Sequence, residues 1–186
     1  VLGSRAYNPQ QVALICERLA PHNALATEIA HAAGLRAHEL FTLQPRSERT
    51  PDPRPALPTK FEGREDGSRY VVTGKGGLIR EVQLPSHLAA RLEAQRLATP
   101  RPVTDRHVYY QQHYAIGGGQ PWSMAVSRAA KAALGWSTGA HGLRHAYAQE
   151  RVTELQTLEH SQKVANETVS QELGHFRPEI TTTYLR

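Results

Sequence analysis

Apolar positions recur at helical spacing from the start of the chain. Val12, Ile15 and Leu19 follow Asn8-Pro9, an N-cap residue and a proline preset for the first helical position. A second helix is predicted over 23–34, with Asn23 as cap, Leu25 and Ile29 inward, and Gly34 as its stop. The sequence LRAHELFTL follows at once, and then periodicity is lost over 44–58. Five prolines there predict an extended surface excursion rather than a domain boundary, since neither flank is complete alone. β-rich runs take over at 70–73 and 78–84, joined by the hairpin turn Gly74-Lys75-Gly76-Gly77, and 60–63 is read as a third strand. Helical spacing returns at Leu88, Leu92 and Leu97 behind Ser86 as cap. Residues 99–121 show no period and are predicted to be irregular. Helices at 123–134, 138–158 and 162–173 follow, and a short last one from Pro178 carries Tyr184. The predicted class is α+β, mainly helical with one small antiparallel sheet, in one domain over 1–186.

Composition narrows the partners. The chain has 186 residues, a net charge of +5, a pI near 9.6 and a mean hydropathy of −0.52. The excess of positive charge fits a polyanion without choosing between nucleic acid and a membrane surface. Cys16 is the only cysteine, so an internal disulfide is excluded and a reducing, cytoplasmic setting is expected. It lies on the apolar face of the first predicted helix, where packing is its role. No apolar run reaches the roughly 18 residues of a spanning helix. The chain opens on VLGSR without Met, from which a fragment with a partner domain upstream is expected.

The candidate chemistry is cationic. His141, Arg144 and His145 fall within about one and a half turns of one helix, with His141 and Arg144 on one face. His145 is i+4 to His141, but Gly142 stands where an H-E-x-x-H zinc motif needs Glu and no third ligand lies at useful spacing, so zinc is the minor reading. Further on come Leu173-Gly174-His175 and, nine residues past the histidine, Tyr184.

This ordered set, His141-Gly142-Leu143-Arg144-His145, then Leu-Gly-His, then a tyrosine, resembles the signature of the tyrosine recombinases, the phage integrase family. GLRAHEL matches that family's G-L-R-x-x-E-L segment, which places its first catalytic arginine on Arg36 with Glu39 as acidic companion. Lys75, on the hairpin turn, occupies the place of the family's catalytic lysine. A second lysine often follows in the family; Leu78 and Ile79 stand there instead, which leaves Lys60 as the alternative to Lys75. The resemblance covers nearly the whole chain. It implies a site-specific recombinase or integrase with Arg36, Lys75, His141, Arg144, His175 and Tyr184 as catalytic residues and Glu39 and His145 supporting them. Double-stranded DNA is the implied partner, a homotetramer the working form, and no metal or other cofactor is implied. A type IB topoisomerase-like nicking and closing enzyme and a non-catalytic DNA-binding module are the competing readings.

The chemistry of a phosphodiester makes sense of the set. Its negative oxygens repel nucleophiles, and two guanidinium groups neutralise them as charge builds. A phenolate then displaces an alcohol and stores the ester energy in a phosphotyrosyl bond. A lysine among other cations can protonate the leaving oxygen, and His141 is read as the acceptor or orienting partner for the phenolic proton.

Overall fold

The computed structural model describes residues 4–175 and 181–186. Helix α1 (Pro9–Glu17) starts where Asn8 accepts from the Gln11 amide at 2.8 Å, while Gln11 Oε1 accepts from the Asn8 amide at 2.8 Å. Helix α2 (Pro21–Ala33) starts two residues earlier than its spacing predicts. Pro21 takes the first helical position, and Asn23 lies inside the helix rather than capping it.

Gly34 ends α2 in the left-handed conformation, with φ +69°. A methyl group on it would meet Leu173 at 2.7 Å and Tyr147 at 2.8 Å. The missing side chain is what lets the end of α2 reach the two helices that carry the C-terminal motifs.

A 3-10 turn, Ala37–Thr42, leads into a three-stranded antiparallel sheet ordered β1 (Gln44–Pro45), β2 (Ser68–Thr73), β3 (Ile79–Leu84). The third strand therefore comes from the start of the proline-rich excursion and not from 60–63. Residues 60–63 form turns instead, and the Phe61 amide donates to Glu172 Oε2 at 2.8 Å. The rest of the excursion lies along the body. Asp52 caps the free edge of β3 by exchanging hydrogen bonds with Ile79, and the Leu57 amide donates to Gln171.

Helix α3 (Ser86–Glu93) stops short of Leu97, because the chain has already turned into β4 (Arg96–Asp105). Its cap position is Pro85; the Ser86 hydroxyl donates to the Asp66 carbonyl at 2.7 Å. β4 pairs with β5 (Val108–Tyr114) across a register shift between Arg96 and Arg101. Residues 99–121 thus hold most of a second sheet, which corrects the irregular reading and the expectation of one sheet. The hairpin lies almost wholly on the surface, carries Pro100 and Pro102, and turns on Arg106 and His107 (φ +48° and +67°) without a glycine. Its sequence therefore shows neither buried alternation nor the usual turn residues.

Helices α4 (Gly119–Leu134), α5 (His141–Thr157) and α6 (Gln162–Leu173) complete the fold, and a 3-10 turn, Thr182–Leu185, holds Tyr184. Pro178, predicted to start the last helix, lies outside the described residues. The class is α+β and mainly helical. One apolar cluster joins α1, α2, the inner face of the sheet, α3, α4 and Leu143. A second joins α5 and α6 through Tyr147, Val152, Leu155, Val169 and Leu173, with Tyr184 and Leu185 packed on it. α5 belongs to both, and this fixes its first turn relative to the sheet. Among the described residues, no helix is long and apolar enough to cross a membrane.

Candidate functional site

An open cavity of about 980 Å³ lies where the Ala37–Thr42 turn, the β2–β3 turn, the tip of the β4–β5 hairpin and the start of α5 converge. Arg36, His38, Lys75, Tyr109, His141 and Arg144 are among its lining residues. Four of the six sequence-predicted catalytic residues are thereby brought together from positions more than a hundred residues apart. Lys75 is exposed on its turn. Lys60 sits elsewhere, with its ammonium 5.2 Å from the Phe61 ring centre, and burial lowers its pKa.

Arg144 is fully buried, and its surroundings show how a lone guanidinium is tolerated there. Nη1 donates to the Gly34 carbonyl, and Nη2 donates to the Leu173 carbonyl at 2.9 Å and to His175 Nε2 at 3.2 Å. Both carbonyls are at helix C-termini, where unpaired oxygens and the helix dipole favour a cation. Burial, then Arg80, lower its pKa to about 10, so it keeps its charge at neutral pH. Its Nε is buried without a hydrogen-bond partner among the described residues.

Glu39 is fully buried beneath Arg36. Its Oε1 accepts from the Arg36 amide at 2.8 Å, and Oε2 is 3.7 Å from Arg36 Nη1. The nearer charge partner is Arg80, whose Nη1 donates directly to Oε2. Burial pushes the carboxyl up, but Arg80 and Arg144 outweigh it and hold the pKa at about 2.

His175 and Tyr184 pack against Arg144 and against each other. The Arg144 guanidinium carbon is 5.1 Å from the Tyr184 ring centre, and the His145 and His175 rings are 5.0 and 5.5 Å from it. Neither Tyr184 nor His175 is among the described residues that line the cavity. Burial and then Arg144 hold the His175 pKa down at about 3. His175 is therefore neutral, with Nε2 accepting from Arg144 and Nδ1 donating to the Thr181 hydroxyl at 2.9 Å. His145, its pKa lowered by burial, donates from Nδ1 to the Tyr184 carbonyl at 3.1 Å. Gln149 donates to the Arg186 carbonyl at 2.7 Å and reinforces this hold on the last residues. His141 stands at the cavity rim, where partial desolvation of its ring, then Arg144 and Arg36, lower its pKa from the ordinary 6.5.

Arg80 and Glu172 were not found from the sequence. Glu172 is fully buried and accepts from Tyr147, from Arg151 twice and from the Phe61 amide, all at 2.7–2.9 Å. It ties α5, α6 and the excursion together one residue before Leu173. Two buried carboxylates imply buried cations, but nothing in the spacing of Arg80 or Arg151 marks them as the partners. Among the described residues, no group of three or more His, Cys, Asp or Glu side chains could hold a metal ion.

No protein-family model and no curated protein sequence matches the chain. Solved structures do. The XerH site-specific recombinase bound to a palindromic difH substrate matches with a TM-score of 0.61 at 17% identity, over 98% of this chain and 49% of that one. A lambda integrase dimer bound to a COC′ core site matches with a TM-score of 0.60 at 16% identity, over 100% of this chain and 49% of that one. The Tn1549 transposon integrase in complex with circular intermediate DNA matches with a TM-score of 0.57 at 13% identity, over 100% and 64%. The chain thus has the tyrosine recombinase catalytic-domain fold and spans about half the length of the XerH and lambda integrase chains.

Proposed function

We propose that the chain cuts and rejoins double-stranded DNA by transesterification, as the catalytic domain of a site-specific recombinase. The observation that carries this reading is the convergence of Arg36, Lys75, His141 and Arg144 on one cavity, with Tyr184 packed against Arg144. The likeness in fold to proteins solved on DNA supports it.

A phosphodiester in the cavity is held by the Arg36 and Arg144 guanidiniums, which neutralise its oxygens as charge builds at phosphorus. His141, neutral at pH 7, takes the phenolic proton of Tyr184. The Tyr184 oxygen forms a bond to phosphorus, the bond from phosphorus to the 5′ oxygen breaks, and Lys75 gives that oxygen a proton. A 3′-phosphotyrosyl linkage and a free 5′ hydroxyl result, and attack by a 5′ hydroxyl reverses the step. Because Tyr184 packs against Arg144 but is not among the lining residues, the reading requires residues 181–186 to shift so that the phenol enters the cavity, with the hydrogen bonds from His145 and Gln149 loosening. Four copies on two duplexes would exchange strands in pairs.

Nicked duplexes of randomised core sequence test this, because cleavage near the nick releases a short strand and traps the adduct. Wild-type protein is expected to form a denaturation-resistant adduct in the presence of EDTA, and Tyr184→Phe to form none while still binding duplex. An undiminished adduct from Tyr184→Phe, or a strict need for a divalent cation, would overturn the reading.

A further inference from the structure

Arg80 is set behind the cavity at the meeting point of three elements. It is buried on β3, its Nη1 is paired with Glu39, and its Nε donates to the Glu172 carbonyl at 3.4 Å. Its Nη2 is buried without a hydrogen-bond partner among the described residues. A buried guanidinium with part of its donor set unused is a costly choice for a strand, so what it does for its neighbours is the question.

Those neighbours adjoin the candidate catalytic side chains. A methyl group on Gly74 would sit 3.1 Å from Glu39 Oε2 and 3.8 Å from Arg80 Nη1, so the ion pair packs directly under the residue before Lys75. A methyl group on Gly174 would sit 2.7 Å from Arg80 Cδ, so the same side chain packs against the residue before His175. Glu39 in turn holds the Arg36 backbone. The charged and titratable groups facing the Glu39 carboxylate are Arg36, His38, Arg80, Arg144 and His175. Among these, Arg80 is the cation that does not reach the cavity lining.

We propose that Arg80 is a positioning residue that serves as the main partner of Glu39, so that Arg36 and Arg144 are not drawn further toward the carboxylate and the turns carrying Lys75 and His175 keep their places. This inference rests on the cleavage reading above. Without Arg80, the buried carboxylate has only Arg36 and Arg144 as strong partners and draws them away from the cavity. The loss then falls on the chemical step rather than on DNA binding.

The test compares Arg80→Met, Arg80→Lys and the double variant Glu39→Gln/Arg80→Met on the nicked duplex pool, with thermal unfolding and duplex binding measured in parallel. Arg80→Met is expected to slow adduct formation on the order of a hundredfold, the loss typical of a misplaced catalytic group, with duplex affinity little changed. Arg80→Lys is expected to recover much of that loss. The double variant is expected to be faster than Arg80→Met, because no uncompensated carboxylate remains. In Arg80→Met the Glu39 carboxyl loses its closest cation and its pKa rises, so lowering the pH neutralises it as Glu39→Gln does, and the deficit relative to wild type is expected to shrink as pH falls. A double variant slower than Arg80→Met, or an unchanged pH profile, would overturn the inference. Absence of any wild-type adduct would overturn the cleavage reading itself, and a carbon-13 titration of Glu39 separates the two cases. If its pKa fails to rise in Arg80→Met, the pairing role is wrong whatever the activity.

Discussion

At the scale of single residues, electrostatics around Arg144 sorts the ionisable groups into permanent cations and neutral imidazoles. His175 carries the larger consequence for stability. Its folded pKa of about 3 lies below the ordinary 6.5, so the unfolded chain binds a proton that the fold refuses. The contribution is complete above about pH 6.5 and is lost progressively as pH falls toward 3. Glu39 works in the same direction, with stability present above its ordinary 4.5 and lost as pH falls toward 2. The melting temperature is therefore expected to drop steadily from pH 7 to pH 5, and His175→Gln to flatten that slope in a calorimetric titration; a parallel slope in the variant would contradict the assignment. For Lys75 the expectation is chemical. Lys75→Ala should slow cleavage of ordinary DNA and spare a duplex whose leaving 5′ oxygen is sulfur, since a thiolate leaves without a proton. Equal losses on both substrates would exclude the general-acid role.

At the scale of elements, the site depends on helix ends. α2 and α6 both stop in left-handed glycines, Gly34 and Gly174, and the carbonyls of Gly34 and Leu173 face Arg144. Gly174→Ala is expected to cost about 1–2 kcal/mol from backbone conformation alone, before its packing against Arg80 is counted. Glu172→Gln leaves Arg151 with only the partly exposed Glu154 as counter-charge and is expected to cost about 2 kcal/mol in urea unfolding. A loss of only a few tenths would mean that the buried network does not brace α6.

The helices and the β2–β3 hairpin were legible in the sequence because each buries a periodic face or turns on glycine. The β4–β5 hairpin was not, since β4 buries no side chain, β5 buries only Gln112 and Tyr114 near its end, and its turn uses Arg106 and His107. The motif-bearing residues Arg36, Lys75, His141 and Arg144 could be read as a set. Arg80 could not, because its part depends on lying between Glu39 and Gly174 in space, which no spacing along the chain reveals.

At the scale of the whole molecule, a net charge of +5 and a cavity lined by guanidinium and ammonium groups favour a polyanion held through its backbone. The logarithm of duplex affinity is expected to fall linearly with the logarithm of salt concentration. Arg36→Ala is expected to make that slope shallower by about one unit for each phosphate the guanidinium no longer neutralises. An unchanged slope would remove Arg36 from the phosphate-binding groups. The central claim is that side chains far apart in sequence, gathered around Arg144, let one phenol attack a DNA phosphate. Peptide mapping of the trapped adduct by mass spectrometry tests it most directly. The nucleotide is expected on Tyr184 through a 3′ phosphate. A nucleotide on another residue, or a 5′ linkage, would contradict the claim.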